Sequence, residues 1–495
     1  MAESREERAS TGIRGLDDVL NGGLPTNRMY LVKGAPGVGK TTLAIQFLLE
    51  GVRRGETALY ITLSETEQEI RQVAGSHGWN LEGLSLFELS VAEQTLRLRE
   101  ENTLYASEDV DLKELMGVLL ARLDELKPAR VVFDSLSEIR LLANSSTRYR
   151  RQLLSLKQDL IGRDVTTLLL DDRSSEHDDV QVESLAHGVI VLEQTPVQYG
   201  AERRRVRVAK LRGSAFRSGF HDYIVGTGGI AVFPRLIAAE HRTELSAQPI
   251  SSGVPRLDAM LGGGIDRSTA TLVLGPAGVG KSALAAQFAI AAALRGEHSS
   301  VFLFEERLST WLKRSEALGV PATRLVKEGK VGLQQIDPAE LAPDEFTHAV
   351  RLAVERDHAK VVVIDSITGY FNAMPEARFL SLQMHELLSY LAERGVATLL
   401  TMAQTGMFGT QMTSAVDMSY LADSVVVMRY FEAGGHLKKA VSVLKKRSGP
   451  HENTIRSLAF GPQGLDVGDA LVNLQGVLTG IPRQLNHSEG ALDPG

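Results

Sequence analysis

Residues Gly34–Thr41 read GAPGVGKT, and residues Gly275–Ser282 read GPAGVGKS. Both have the pattern GxxxxGK[ST], and each follows an apolar run (MYLVK or TLVLG) and precedes a run with helical character. In this context the pattern predicts a phosphate-binding loop, or P-loop, because its glycines let backbone N–H groups wrap the phosphates without side-chain clashes. The N-terminus of the following helix adds a partial positive charge. Two such loops indicate two nucleotide sites in one chain.

The chain repeats itself around these loops. GIRGLDDVLNGG at 12–23 and GVPRLDAMLGGG at 253–264 are separated by the same 241 residues as the two loops. Each loop is followed by a helical pattern, an apolar run that ends in an acid, and a later apolar run that ends in DS. Strands that alternate with helices in this way predict an α/β fold with mostly parallel central sheets. The predicted organisation is a first domain at 1–236, a polar linker at 237–249, a second domain at 250–482 and a loose tail at 483–495.

Composition excludes several classes of function. The chain has 495 residues and no cysteine, which excludes disulfides, thiolate metal sites and thiol catalysis. Its start lacks the apolar core of a signal peptide, and the longest apolar stretch, around Ala283–Leu294, is shorter than the ~20 residues of a membrane helix. The net charge of -7 gives no electrostatic case for a dedicated nucleic-acid binder. We therefore expect a cytoplasmic protein that does not bind membranes.

The P-loop residues predict ATP and Mg²⁺ as ligands. Lys40 and Lys281 are expected to reach the β- and γ-phosphates, and the hydroxyls of Thr41 and Ser282 to ligate Mg²⁺. The other nucleotide-binding positions predicted in the two loops are Gly34, Gly37, Val38, Gly39 and Thr42 in the first copy and Gly275, Gly278, Val279, Gly280 and Ala283 in the second.

In each copy, an aspartate ends a run of apolar residues that predicts a buried strand. Asp134 follows VVF, and Asp365 follows VVVI. At the C-terminal end of a strand beside a P-loop, such a carboxylate holds the magnesium ion and its water shell, the role of a Walker-B aspartate. The alternative is an acidic cap at the end of a strand. The presence of a P-loop upstream in both copies favours the magnesium role.

Hydrolysis also needs a group that orients or deprotonates water near the γ-phosphate. Glu305 and Glu306 are the candidates in the second copy, and Glu306 is also assigned to the metal site. The first copy has Ser64 and Glu65 at the matching positions, so Glu65 alone must serve there. The alternative for these acids is an ordinary strand-to-helix turn with an acid at a helix N-terminus.

Each copy closes with a basic element, VAKLRGS or VLKKRSG. Lys210 and Arg212 in the first, and Lys445 and Arg447 in the second, alternate along a predicted strand, which places both charges of a pair on one face. One interpretation is a solvated sheet edge, where lysine discourages edge pairing. The other is a pair of cations inserted into the nucleotide site of a neighbouring subunit. Spacing alone does not decide between them.

Taken together, these residues resemble the KaiC family, the double-domain RecA-like ATPases and autokinases of the cyanobacterial clock, with relatives in other bacteria. The resemblance runs from about Thr11 to Pro482 and rests on the repeated lead-in motifs, both P-loops, the acidic turns, both Walker-B runs and AKLRGS. It implies two tandem RecA-like P-loop domains in a two-tiered homohexameric ring, with ATP bound between adjacent subunits. It also implies that the two cation pairs reach a neighbour's ATP, and that the first tier is mainly a slow ATPase while the second is a serine/threonine kinase for its own subunits.

The resemblance also suggests phosphoacceptors and partners. The family's two adjacent acceptor hydroxyls correspond to Ser419 and Tyr420, and a nearby threonine corresponds to Ser414. Tyr420 departs from the usual serine or threonine, and its hydroxyl stands further from the backbone. A KaiB-like or signalling protein is a candidate partner. The segment after Pro482 is short for the family's partner-binding tail, so the sequence does not support a KaiA-like activator.

Two other functions remain open at this point. The first is a nucleotide-gated scaffold that binds ATP but transfers no phosphate, which Ser64 and Tyr420 keep in consideration. The second is a recombination ATPase of the RecA or RadA type, in which Arg148, Arg150 and Arg151 would form a basic DNA loop. Such clusters are more often solvated helix faces, and the chain lacks cysteines for the zinc module of RadA.

Overall fold

The computed structural model describes residues 7–89, 108–143, 145–172, 182–196, 200–241, 248–372, 377–404, 420–478 and 482–484. The chain forms two compact units, Met1–Arg235 and Leu236–Gly495. Among the described residues, we find no helix with the length and apolar character that crossing a membrane requires.

The first unit is an α/β domain around a nine-stranded sheet. Its strands are β1 (Arg8–Ala9), β2 (Leu24–Pro25), β3 (Met29–Gly34), β4 (Ala58–Thr62), β5 (Leu84–Glu88), β6 (Arg130–Asp134), β7 (Thr166–Asp172), β8 (Gly188–Thr195), β9 (Arg203–Leu211), β10 (His221–Gly226) and β11 (Gly229–Phe233). Its helices are α1 (Leu16–Val19), α2 (Lys40–Arg53), α3 (Glu67–Ser76), α4 (Glu108–Leu126), α5 (Leu136–Ala143) and α6 (Ser146–Leu160).

The main sheet has the order β5-β4-β6-β7-β3-β8-β9-β10-β11, and β1 pairs with β2 separately. The strands from β5 to β8 are parallel to their neighbours, and those from β8 to β11 are antiparallel. The P-loop strand β3 is therefore central, and the Walker-B strand β6 lies two places away from it.

The second unit repeats this design. Its strands are β12 (Ala270–Gly275), β13 (Ser299–Leu303), β14 (Val331–Gln335), β15 (Val361–Asp365), β16 (Ala397–Ala403), β17 (Ser424–Ala433), β18 (His436–Lys446), β19 (Arg456–Gly461), β20 (Gly464–Ala470), β21 (Leu474–Gln475) and β22 (Arg483–Gln484). Its helices are α7 (Pro255–Met260), α8 (Lys281–Leu294), α9 (Leu308–Ala317), α10 (Ala322–Lys327), α11 (Pro343–Glu355), α12 (Ile367–Asn372) and α13 (Ala377–Glu393), with a 3₁₀ turn at Ala238–Glu240.

The second main sheet has the order β14-β13-β15-β16-β12-β17-β18-β19-β20, which matches the first strand for strand. It is parallel from β14 to β17 and antiparallel beyond β17. The repeat that the sequence predicted is thus confirmed at the level of topology, as are the mostly parallel sheets.

Both faces of each sheet are covered by apolar cores. Along β3, Tyr30 and Val32 belong to one core and Leu31 to the other. Along β12, Val273 belongs to one core and Leu272 to the other. Successive side chains of a strand point to opposite faces, so a run of apolar residues is what a strand buried on both faces requires.

Residues at the predicted boundary between the first domain (1–236) and the linker (237–249) pack on the second unit. Leu236 and Ala238 are buried in one of its cores. The backbone N–H of Ala238 also donates to a carboxylate oxygen of Glu386, at 3.3 Å. Leu236, predicted as the last residue of the first domain, and Ala238, near the start of the predicted linker, thus have fixed partners in the second unit.

His221, at the start of β10, provides a test of the first unit's fold. Its ring is fully buried, with Nε2 bonded to the carbonyl of Arg217 at 3.1 Å and Nδ1 accepting from the N–H of Arg235 at 2.9 Å. Both nitrogens are satisfied in the neutral ring, and a proton on Nδ1 would face another N–H. Burial, aided by the charges of Arg217 and Arg235, lowers the pKa of His221 from 6.5 to about 4.

Because the folded pKa lies below the unfolded one, the neutral ring stabilises the fold above pH 6.5 and this contribution is lost as the pH falls towards 4. We expect the free energy of unfolding to fall by up to about 3 kcal/mol over that interval. In His221→Gln this part of the pH dependence should disappear. Urea unfolding followed by Trp79 fluorescence, in a Trp311→Phe background, measures the free energy of unfolding at each pH. If that free energy depends equally on pH with His221 and with Gln at this position, the assignment is wrong.

Candidate nucleotide-binding sites

Both P-loops join a central strand to a helix, as the sequence predicts. The first connects β3 to α2 and the second connects β12 to α8. Gly39 and Gly280, the residues before each helix, have φ values of 101° and 116°, in the left-handed region that favours glycine. The side chains of Val38 and Val279 are buried in the apolar cores, so their backbones alone face a nucleotide.

The remaining loop positions lie where the pattern places them. Gly34 and Gly275 end the strands, Gly37 and Gly278 lie in the turns, and Thr41, Thr42, Ser282 and Ala283 lie in the first turns of the helices.

The lysine of each loop is almost fully buried. Lys40 is 8% exposed, and its Nζ donates to the carbonyl of Gly34 at 2.9 Å and forms an ion pair with Asp172 at 2.7 Å. Lys281 is 9% exposed and donates to the carbonyl of Pro276 at 2.9 Å. Burial lowers the pKa of Lys281, against the opposing charges of Asp365 and Glu305.

A hydroxyl and a carboxylate meet beside each lysine. Thr41 Oγ1 donates to Asp134 Oδ2 at 3.0 Å, and Ser282 Oγ donates to Asp365 Oδ1 at 2.9 Å. Burial raises the pKa of Asp134, while hydrogen bonds from Tyr60 and Thr41 and the charge of Lys40 oppose the rise. Hydroxyl and carboxylate oxygens are the ligands that Mg²⁺ takes next to nucleotide phosphates, so both donor sets fit this ion.

Glu65 lies close to the first of these sites. Burial raises the pKa of Glu65, the nearby charges of Asp134 and Glu69 raise it further, and the charge of Lys40 opposes the rise. Its backbone is held by Thr62, whose hydroxyl donates to the Glu65 carbonyl at 2.6 Å and accepts from its N–H at 3.0 Å. The strand-end threonine therefore fixes the turn that carries the candidate base.

In the second unit, the predicted residues line one open cleft. Its volume is about 540 Å³, and it is lined by Ser282, Glu305, Glu306, Arg307, Thr310, Arg314 and Asp365. Arg314 Nη1 contacts both carboxylate oxygens of Glu306, at 2.6 and 2.5 Å. Burial raises the pKa of Glu306, against the charge and hydrogen bonds of Arg314. The two adjacent glutamates are therefore not equivalent, since Arg314 engages both oxygens of Glu306.

Sequence reasoning missed the residues that surround the second P-loop. Lys439 Nζ lies 4.8 Å from the ring centre of Phe460 and 3.4 Å from the Gly278 carbonyl. A Cβ on Gly280 would lie 2.4 Å from the ring of Phe460, and one on Gly278 would lie 3.1 Å from the Tyr430 hydroxyl. These side chains lie on the antiparallel strands β17 to β19, far along the chain from the loop, and no local motif marks them.

The two cation pairs lie away from the P-loops of their own units. Lys210 is opposite Val189 of β8, which pairs with Leu31 of β3. β3 reaches its P-loop only at Gly34, so the pair stands beside the amino-terminal half of the parallel strands, roughly 10 Å along the strand from its end. In the second unit, Lys445 is opposite Val425, and Val425 pairs with Leu272 in the same way.

Backbone carbonyls hold all four cations. Lys210 donates to Glu183 at 2.6 Å and Arg212 to Ser184 at 2.8 Å. Lys445 donates to the Ala422 carbonyl at 2.7 Å, and Arg447 donates to the Tyr420 carbonyl at 3.3 Å. Arg447 also forms a long ion pair with Asp423, at 3.9 Å. These contacts fix the positions of the cations.

Of the predicted phosphoacceptors, Tyr420 is described and Ser419 lies outside the described residues, as does Ser414. Tyr420 is 55% exposed. Arg148, Arg150 and Arg151 are exposed on helix α6, as expected for a solvated helix face.

Comparison with known proteins agrees with this geometry. The family model described as "ATPase: KaiC" matches residues 9–237 and 250–471, one match over each repeat. The chain belongs to the KaiC family. It is therefore an ATP-binding P-loop protein of the ATPase type, with two tandem RecA-like domains.

The KaiC relatives match over nearly the whole length of the chain. The circadian clock oscillator protein KaiC of Prochlorococcus marinus (strain MIT 9313) is 26% identical over 494 residues, which cover 98% of this chain and 97% of that protein. The circadian clock protein KaiC3 of Synechocystis sp. is 28% identical, over 98% of this chain and 96% of that protein. The KaiC of Synechococcus elongatus is 26% identical, over 97% and 92%.

The contact between Gly280 and Phe460 gives a direct test of the second site. In Gly280→Ala, the new methyl group would overlap the ring, and the left-handed backbone would be strained by about 1–2 kcal/mol. We expect the second unit to lose nucleotide affinity at least tenfold, measured with a fluorescent ATP analogue in a Lys40→Ala background.

Gly434→Ala is the matched control. Gly434 has a φ of 61° in the turn between β17 and β18, and a Cβ there meets no described atom within 4 Å. This variant carries backbone strain alone, and its nucleotide affinity should stay within twofold. Equal losses in the two variants would show that the ring contact does not matter.

Proposed function

We propose that this chain is a magnesium-dependent ATPase and a serine autokinase. In this proposal, six copies form a two-tiered ring with ATP between adjacent subunits, and phosphorylation of Ser419 makes the assembly a switch. The proposed location is the cytoplasm, and the proposed partner is a KaiB-like or other signalling protein. Family membership supports the ATPase, and the arrangement of the second unit supports the kinase.

The observation that carries the kinase proposal is the position of Tyr420 and Ala422, which closely follow the proposed acceptor in the chain. Arg447 holds the carbonyl of Tyr420, and Lys445 holds that of Ala422. The end of the acceptor segment and the cation pair therefore share the edge of the second sheet at which its parallel strands begin, away from that unit's own P-loop. If the P-loop of a neighbouring subunit docks at this edge, one ATP meets both the cations and the acceptor.

The chemistry in the second unit then follows from the cleft. Lys281 and the loop N–H groups bind the phosphates. Ser282 and Asp365 would hold Mg²⁺ in this unit, and Thr41 and Asp134 would hold it in the first. The ion would neutralise phosphate charge. Glu305 of the subunit that binds the ATP takes the proton of the neighbour's Ser419 hydroxyl as the serine oxygen bonds to the γ-phosphorus. The bond from that phosphorus to the bridging oxygen breaks, and ADP leaves with the electron pair.

In the first unit, the proposed acceptor is water. Glu65 is the candidate group that orients the water or takes its proton, and the raised pKa of Glu65 moves this carboxyl towards the range in which a general base works near neutral pH. Lys210 and Arg212 would stabilise the charge on the phosphates of a neighbour's ATP, as Lys445 and Arg447 would in the second tier.

Phosphorylation would change the electrostatics of the same edge. A phosphoserine carries nearly two negative charges. Arg447 and Lys445 hold the carbonyls of Tyr420 and Ala422, which closely follow Ser419 in the chain. The new charge would compete with the bound ATP for these cations. This competition supplies a physical route from a covalent event to subunit packing, and so to partner binding.

The acceptor can be identified by phosphopeptide mass spectrometry after incubation with Mg-ATP. We expect phosphate on Ser419 in the native sequence and none in Lys281→Ala. ATP hydrolysis without any phosphate on the segment 416–423 would instead favour the nucleotide-gated scaffold. A salt-dependent shift of DNA by the protein would favour the recombination ATPase.

Shared active sites can be tested by mixing two inactive proteins. Lys281→Ala lacks phosphate binding but keeps its cations, and Arg447→Ala has the opposite defect. Each variant alone should lose most autophosphorylation. A mixture should recover about a quarter or less of the native rate, because only some subunit boundaries combine an intact P-loop with an intact arginine. A mixture no more active than its parts, although an affinity tag on one variant co-purifies the other, would rule out contribution in trans.

A further inference from the structure

Each Walker-B aspartate accepts a hydrogen bond from a second, fully buried hydroxyl that the nucleotide motifs do not include. In the first unit, the Tyr60 hydroxyl donates to Asp134 Oδ2, the same oxygen that accepts from Thr41. In the second unit, the Thr401 hydroxyl donates to Asp365 Oδ1, the same oxygen that accepts from Ser282. Tyr60 and Thr401 are both 0% exposed.

The two hydroxyls come from different strands. Tyr60 lies on β4 and Thr401 on β16, which border the Walker-B strands β6 and β15 on opposite sides of the common sheet order. They are therefore not one repeated position. Each unit supplies the second hydroxyl donor for its Walker-B carboxylate from a different strand.

The strand registers show that the hydroxyl donor and an apolar side chain exchange positions between the two units. Tyr60 is opposite Val132, and the matching pair in the second unit is Val301 and Val363. Thr401 is opposite Val273, and the matching residue in the first unit, opposite Val32, is Leu170. Each unit thus has one hydroxyl donor and one apolar side chain at these two positions.

The physical need for a donor is clear. Asp134 and Asp365 are 7% and 6% exposed, and a buried carboxylate is destabilised unless donors satisfy it. Two hydroxyls on one oxygen also fix the rotation of the carboxylate against the P-loop helix. The lone pairs of Thr41 and Ser282, whose protons are directed to that oxygen, stay available to a cation.

We propose that Tyr60 and Thr401 are positioning residues that hold the Walker-B carboxylate against the P-loop hydroxyl, so that Mg²⁺ strengthens nucleotide binding in their own units. This inference rests on the proposed magnesium-dependent binding of ATP. In this proposal the two residues act through Asp134 and Asp365 and are not themselves ligands of the nucleotide or the ion.

The first unit is tested alone in a Lys281→Ala background. Affinity for a fluorescent ATP analogue is measured in excess Mg²⁺ and in EDTA, and the ratio of the two gives the gain due to Mg²⁺. Tyr60→Phe removes one hydroxyl and keeps the ring. A single hydrogen bond of about 0.5–1.5 kcal/mol corresponds to a loss of roughly two- to twelvefold in this gain, while the affinity in EDTA should stay within twofold.

Tyr30→Phe is the matched control. Tyr30 is also fully buried in the first unit, and its hydroxyl donates to the carbonyl of Pro25 at 2.6 Å, away from Asp134. It should lower the melting temperature without changing the gain due to Mg²⁺. If both tyrosine variants reduce the gain equally, Tyr60 has only a structural role and the inference fails.

The exchange of positions supplies a rescue experiment. Adding Leu170→Thr to Tyr60→Phe moves the donor to the strand that the second unit uses, and it should restore at least half of the lost gain. The reciprocal test uses Thr401→Val in a Lys40→Ala background, with Thr398→Val on the same strand as its control. An unrescued first unit, or an unchanged gain in Thr401→Val, would overturn the inference.

The parent proteins separate this inference from the function on which it rests. If Lys281→Ala and Lys40→Ala show no gain from Mg²⁺, the magnesium part of the proposed function fails and the inference fails with it. If both parents show the gain and Tyr60→Phe and Thr401→Val keep it, the inference alone is wrong.

Discussion

A buried positive charge is the constraint on which both sites depend. Lys40 and Lys281 are each less than a tenth exposed, and an ammonium group in that position must find acceptors. The P-loops supply them as backbone carbonyls at their own start, which requires the tight left-handed turns at Gly39 and Gly280. The lysine thereby anchors the loop to the core, and backbone N–H groups in such a turn are suited to bind an anion.

The two units use one topology with different electrostatics. Strand β7, beside β3, ends in Asp172, which forms an ion pair with Lys40. The matching strand of the second unit, β16, ends in Ala403. Conversely, Arg314 engages Glu306 in the second unit, and the first unit has Val73 at the matching place. In the first unit the extra charge acts on the P-loop lysine, and in the second it acts on the acidic turn. Duplication kept the backbone and redistributed the ionic contacts.

What the sequence predicted well is local or repeated. Short patterns whose spacing has a direct geometric meaning predicted the P-loops, the strands that precede them and the position of Asp134 beside the first P-loop. What it missed depends on register between strands. Tyr60 meets Asp134 across 74 residues, and Lys439 meets the Gly278 carbonyl across 161. A tyrosine in an apolar strand looks like core, and only the sheet order reveals that its hydroxyl reaches a carboxylate.

The placement of the cation pairs gives each unit two unlike ends: a P-loop follows one end of the parallel strands, and two tethered cations stand towards the other. Under the proposed shared sites, association is head to tail, so an open chain of n subunits has only n − 1 complete sites in each tier. Closing the ring adds the last site without adding a subunit. The free energy of binding the final nucleotide would then contribute to ring closure, and loss of a single nucleotide would weaken one boundary while leaving the others complete.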